Sequence, residues 1–220
     1  MDLKAVNLDT GRDPDRAVIW LHGLGASGHD FVPIVDQLEL PAGLRARFIF
    51  PHAPTRAVTL NGGMLMPAWY DLYSLERDGP EDAEGLGQSK ADLCALIDQL
   101  AQSGISPQRI ILAGFSQGGA LGLYTALSCG YRLAGVLALS SYLPLRRELP
   151  EYALKADRSL PILLAHGSHD ELIPVQAAQI AREHLEQQGF AVTVQTYACD
   201  HTVCQEEISD IREWLLQRWQ

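Results

Sequence analysis

The feature that most constrains this chain is the stretch Arg109–Ser128, RIILAGFSQGGALGLYTALS. A short apolar run, Ile110–Ala113, leads into Gly114-Phe115-Ser116-Gln117-Gly118, and a helix-like run, Ala120–Leu127, follows. A G-x-S-x-G set between a strand and a helix calls for a turn so sharp that the serine stands at its apex, side chain exposed and backbone strained. Gly114 and Gly118 lie two residues either side of Ser116, where a Cβ would obstruct that turn, and Gly119 lets the helix start approach the strand layer. The helix start also offers free N–H groups and a positive dipole end, both suited to an oxyanion. The bland alternative is an ordinary glycine-rich strand-to-helix turn, and the apolar runs on both sides weigh against it.

The remainder alternates between short apolar runs and longer amphipathic ones. Lys4–Leu8 suits an edge strand. Ala17–Leu21 and Arg47–Phe50 read as buried strands, too short for helices. Asp30–Leu38 has helical spacing through Phe31, Ile34, Val35 and Leu38. Gln88–Ala101 is amphipathic, Ala134–Leu139 and Leu160–Ala165 are strands, and Pro174–Gln188 is a helix closed by Gly189. Ala191–Tyr197 alternates as a strand, and Cys204–Trp219 closes the chain as a helix with Ile208, Ile211, Leu215 and Leu216 inward. Thr55–Gly87 has no sustained period, yet Met64, Leu65, Met66, Trp69, Tyr70 and Leu72 make it too apolar for disorder. It reads as a folded excursion opening with a hairpin at Asn61-Gly62. Strands alternating with helices imply right-handed crossovers and a mostly parallel central sheet with helices on both faces. The 220 residues suit one α/β domain spanning positions 1–220.

A serine becomes a nucleophile only with a base to take its proton and an acid to hold the base. In open α/β sheets such groups stand on loops at the carboxyl ends of strands. After Leu160–Ala165 comes His166-Gly167-Ser168-His169-Asp170, and Asp170 is the candidate acid. After Ala191–Tyr197 comes Ala198-Cys199-Asp200-His201, and His201 is the candidate base. Ser116, Asp170, His201 is the chain order of an α/β-hydrolase triad. Asp170 alone could simply cap a helix, and His201 alone could be a solvated loop histidine; three such residues in order at three strand ends make coincidence a poor account. The Gly-rich loop His22–Gly28 fits the place of a second oxyanion donor, with a plain strand-to-helix turn as its alternative, so the backbone N–H groups of Leu24 and Gln117 are the candidates.

Composition excludes other classes. The net charge is −10 with no Lys/Arg cluster, which argues against nucleic acid or an anionic membrane as the main partner. No apolar run reaches spanning length, so no stable membrane insertion is expected. The polar start Met1-Asp2-Leu3-Lys4 lacks a signal-peptide core, and a cytoplasmic location is expected. Cys94, Cys129, Cys199 and Cys204 have no framework spacing and read as free thiols. Cys199, His201 and Cys204 cluster like metal ligands, but no second Cys/His pair at zinc spacing accompanies them, so no metal is expected.

LHGLGASGHDF (21–31), PHAPTRAVTLNGG (51–63), MPAWYDL (66–72), GFSQGGA (114–120), LSSYLPL (139–145), HGSHDELIP (166–174) and DHTVCQEEI (200–208) together resemble the small carboxylesterase/acyl-protein thioesterase family. The resemblance covers nearly the whole chain and looks closest to the bacterial carboxylesterases. It implies an α/β-hydrolase fold without a large cap domain, and cofactor-free hydrolysis of small-molecule or lipid acyl esters. The rival within the class is a thioesterase or lysophospholipase acting on long acyl chains. Carried over residue by residue, it implies Ser116 as nucleophile, Asp170 as acid, His201 as base, and Leu24 and Gln117 as oxyanion donors. It also implies an acyl groove, for which Met64, Leu65, Met66, Trp69, Leu75 and Leu143 are candidates; ordinary packing onto the core competes for each of these. An apolar groove rim would serve a homodimer as readily as a lipid. Two departures stand out: Ala26-Ser27 where the family usually has an acid, and Asp200 where it usually has glycine before the histidine.

Overall fold

A computed structural model describes residues 3–74 and 79–220. The strands are β1 (Ala5–Asp9), β2 (Arg16–Leu21), β3 (Ala46–Pro51), β4 (Thr55–Val58), β5 (Met64–Pro67), β6 (Ile110–Phe115), β7 (Gly135–Leu139), β8 (Ile162–Gly167) and β9 (Val192–Tyr197). The helices are α1 (Ile34–Gln37), α2 (Ala83–Gln102), α3 (Gln117–Ser128), α4 (Leu149–Tyr152), α5 (Gln176–Gln187) and α6 (Gln205–Arg218). Seven strands form one sheet in the order β1-β3-β2-β6-β7-β8-β9. β1 runs antiparallel to β3 at one edge, and all other neighbours are parallel. This is the α/β-hydrolase architecture, with no large cap domain among the described residues.

The central strands β2, β6, β7 and β8 are buried at nearly every position, and mostly apolar, because both faces are covered. Ala17, Ile19 and Leu21 of β2 point into one core with Leu93 and Ile97 of α2, Leu121 and Leu123 of α3, and Leu185 of α5. Val18 and Trp20, the alternate residues, point into the other with Ile34 and Val35 of α1, and Ile208, Ile211 and Leu215 of α6. The same alternation runs through β6 and β8, where Leu112 and Leu164 face one core and Ile111 and Leu163 the other.

Two elements differ from the sequence expectation. Pro33 divides the expected helix Asp30–Leu38 into a 3-10 turn, Gly28–Phe31, and the single α turn of α1, although Ile34, Val35 and Leu38 are buried as the spacing requires. α2 begins five residues earlier than expected: Asp82 caps it by accepting the Gly85 N–H at 2.9 Å, which masks the poor helix propensity of Gly85 and Gly87. The excursion opens with the expected hairpin, β4 against β5, whose turn places Gly62 and Gly63 at φ of +66° and +81°.

Candidate active site

β6 passes into α3 through Ser116, which sits at φ +55°, ψ −121°. A non-glycine residue in that region is strained, and the surroundings hold it there. The Ser116 N–H donates to the Leu139 carbonyl at 2.8 Å, and its own carbonyl accepts the Ser141 hydroxyl at 2.7 Å. The glycines around it are sterically required. A Cβ on Gly114 would stand 2.4 Å from the Gly118 backbone, and one on Gly118 would stand 2.5 Å from the Leu21 carbonyl oxygen. The turn therefore lets strand and helix approach to backbone contact while lifting the Ser116 side chain into a cleft of about 620 Å³.

The candidate acid and base come from adjacent loops at the same end of the sheet. His201 Nδ1 lies 2.6 Å from Asp170 Oδ2. An ionised carboxylate only accepts, so Nδ1 carries the proton and Nε2 is left as the basic nitrogen. Asp170 is buried, and its other oxygen accepts the N–H groups of Leu172 at 2.9 Å and Ile173 at 2.8 Å. Its loop is braced by His166, fully buried, whose Nε2 donates to the Ile173 carbonyl at 2.7 Å and stands 3.5 Å from Asp170 Oδ2. Burial holds the His166 pKa below its ordinary value, so it stays neutral. The Phe115 ring packs on His201 with centroids 4.6 Å apart. Ser116 and His201 line one cleft together with Gly23, Leu24 and Gln117.

Leu24 belongs to the loop after β2. That loop is pinned by the Gly25 N–H to the Pro67 carbonyl at 2.8 Å and by His22, whose Nδ1 donates to the Gly23 carbonyl at 2.7 Å. His22 Nε2 accepts the Ala53 N–H at 3.1 Å, and burial keeps this ring neutral too. Gln117 has a second function that its motif position does not reveal. Its side chain accepts the Trp69 N–H at 2.9 Å and donates to the Tyr70 carbonyl at 2.8 Å. The excursion is thereby bolted to the residue that follows the serine.

The groove candidates are redistributed. Trp69 is sealed in the core, its indole N–H donating to the His22 carbonyl at 2.8 Å, because a buried indole needs an acceptor. Met64 and Leu65 face solvent on β5, 62% and 71% exposed, and do not line the cleft. Met66 is half-buried against Gly25 and also stays off the cleft wall. Leu143 lines a second hollow of about 290 Å³. Leu75 lies outside the described residues. The apolar walls come instead from Leu60, Leu72, Tyr142, Leu172 and Ile173. Of these, Leu72, Tyr142, Leu172 and Ile173 also line the second hollow, so the two spaces adjoin there. Tyr142, Leu172 and Ile173 lie inside the LSSYLPL and HGSHDELIP stretches, so their place next to the nucleophile and acid loops was the available signal.

Fold and site together define a serine hydrolase of the α/β-hydrolase type. The chain belongs to the phospholipase/carboxylesterase family, whose model matches residues 5–218. It is 38% identical over 210 residues to acyl-protein thioesterase 1 of Neurospora crassa, covering 91% of this chain and 86% of that protein. It is 33% identical to acyl-protein thioesterase 1 of Cryptococcus neoformans, covering 98% of this chain and 97% of that one. Among solved structures, Zea mays acyl-protein thioesterase 2 superposes with a TM-score of 0.88 at 27% identity, over 99% of each chain. No helix among the described residues is long and apolar enough to cross a membrane.

Proposed function

We propose that this enzyme hydrolyses carboxylic esters by two-step acyl transfer through Ser116, His201 and Asp170. His201 Nε2 takes the hydroxyl proton as Ser116 Oγ attacks the ester carbonyl carbon. The tetrahedral oxyanion is held by the backbone N–H groups of Leu24 and Gln117, a kind of interaction worth about 3–4 kcal/mol per donor, aided by the positive end of α3. His201 then returns the proton to the departing alcohol. Water, deprotonated in turn by His201, attacks the acyl-serine carbonyl and releases the acid. Asp170 fixes the His201 tautomer and supports the imidazolium. The observation that carries this reading is the 2.6 Å contact between His201 Nδ1 and a buried Asp170 carboxylate, with His201 sharing a cleft with a strained Ser116. Turnover of p-nitrophenyl esters by the wild type, and its loss in Ser116→Ala, is the test. A Ser116→Ala variant that keeps full turnover would refute it.

A second reading, favoured by the adjoining hollows and by the names of the fungal relatives, is an acyl-protein thioesterase or lysophospholipase acting on long-chain acyl thioesters or esters. Walls made of Leu60, Leu72, Leu172 and Ile173 would gain up to about 0.8 kcal/mol per methylene buried. A kcat/KM that climbs from butyryl to palmitoyl substrates would support it, and an optimum at two to four carbons would return the enzyme to the short-chain esterases.

A further inference from the structure

One cluster next to the His201 loop takes no part in the acyl-transfer steps. Cys199 stands just past β9, two residues before His201. Cys204 is the N-cap residue of α6, three residues after it. Glu207 is the third residue of α6, where a side chain folds back over the helix start. A Cys199 sulfur, a Cys204 sulfur and a Glu207 carboxylate oxygen all lie within 4.8 Å of one another. His201, which the sequence groups with these cysteines, turns away to Asp170.

Glu207 is the unusual member. It is 0% exposed, and neither carboxylate oxygen has a hydrogen-bond partner. The Cys204 backbone N–H lies near enough to ease its charge, but not in hydrogen-bonding geometry. A buried carboxyl group without a partner costs free energy unless something meets it. Burial accordingly pushes Glu207 up to about 7 and Cys199 up to about 11.

We infer that Cys199, Cys204 and Glu207 form a binding site for one thiophilic divalent cation of the Zn²⁺ class. Two sulfurs and one oxygen suit a borderline-soft ion and not a hard one such as Mg²⁺. Tetrahedral Zn–S bonds of about 2.3 Å place two sulfurs roughly 3.8 Å apart, a separation that falls within the 4.8 Å that encloses the three ligand atoms. Both cysteines are half-buried, which leaves an approach from solvent and a fourth position for water. Binding expels the two thiol protons, together with the Glu207 proton where one is held, and gives the Glu207 carboxylate a partner. The ion would join the two ends of the His201 loop to α6, and so bracket the base without touching it.

The test is a titration of the 220-residue chain with Cd²⁺ and Zn²⁺, thiols kept reduced by a phosphine. Cd²⁺ reports thiolate ligation through its ultraviolet sulfur-to-metal charge-transfer band. One equivalent should saturate the band in wild type and in Cys94→Ser/Cys129→Ser. The band should vanish in Cys199→Ser and Cys204→Ser, and affinity should fall roughly tenfold or more in Glu207→Gln. Zn²⁺ at a hundredfold excess over its Kd should raise the wild-type Tm by on the order of 5–10 °C and leave Cys199→Ser unmoved. No band, a band that survives in Cys199→Ser, or one that is lost with Cys94 and Cys129 would overturn the site.

Discussion

Gly167 and Asp200 are in backbone contact: a Cβ at position 167 would stand 2.3 Å from the Asp200 carbonyl oxygen and 2.4 Å from that of Cys199. This is where the loop bearing the candidate acid meets the loop bearing the candidate base. Two hydrogen bonds close the contact, from the Ser168 N–H to the Tyr197 carbonyl at 2.7 Å and from the His169 N–H to the Cys199 carbonyl at 3.1 Å. Asp170 and His201 meet because their loops are zipped together just upstream.

Gly167→Ala tests that relationship. The obstructing atoms are backbone, so no side chain can swing aside, and the His201 loop must shift. A misplacement on the order of 1 Å costs about a hundredfold in rate. Turnover of an activated ester should fall by about that factor with KM changed far less. A Gly167→Ala enzyme with wild-type kcat would mean that the contact does not position the pair.

The triad candidates were legible because each stands at the end of an apolar run, and parallel strands bring their carboxyl ends to one edge. Most of the strands and helices followed from the same alternation. Trp69 was not legible: an aromatic in an aperiodic stretch looks like a groove wall, and only the fold shows that its indole N–H must reach the His22 carbonyl. The Gln117 side chain was hidden for a similar reason, since its backbone partner Trp69 is 48 residues away. Glu207 is 0% exposed, which the inward spacing of Ile208, Ile211, Leu215 and Leu216 does not reveal.

Strain at Ser116 gives a second prediction. Ser116 and an alanine at the same place share the cost of φ +55°, and glycine does not. Ser116→Gly should therefore unfold at higher denaturant than Ser116→Ala, by about 1 kcal/mol after the extra chain entropy of glycine is counted. Both should lose ester turnover by several orders of magnitude. Equal stabilities in urea would show that the turn is relaxed.

His166 sets a pH dependence of stability. Its pKa in the folded protein lies below the unfolded value near 6.5 because burial opposes its charge. The unfolded chain therefore binds the proton more readily. Its contribution is full above pH 6.5 and drains away as pH falls below that value towards the folded pKa, by up to about 1.4 kcal/mol per pH unit. His166→Gln keeps an N–H donor for the Ile173 carbonyl and removes the titration. Between pH 7.5 and 5.5 the wild type should lose on the order of 1 kcal/mol more unfolding free energy than this variant. Parallel losses would place the acid sensitivity elsewhere.

Leu72 stands where the two hollows adjoin, with Tyr142, Leu172 and Ile173 around it. An acyl chain bound at Ser116 that continues into the second hollow must pass this point, whereas a short chain ends before it. Leu72→Trp would fill the junction without touching the proposed triad or its oxyanion donors. For acetyl and butyryl esters kcat/KM should stay within a few-fold of wild type. For chains long enough to cross, every methylene denied its burial forfeits up to about 0.8 kcal/mol, so four of them correspond to a loss on the order of a hundredfold. The check is the ratio of palmitoyl to butyryl kcat/KM in both proteins, measured below the critical micelle concentration. A ratio that collapses in Leu72→Trp makes the second hollow the seat of the distal chain. A ratio that does not change means that the chain leaves the cleft by another route, along the Phe31 and Ile34 wall.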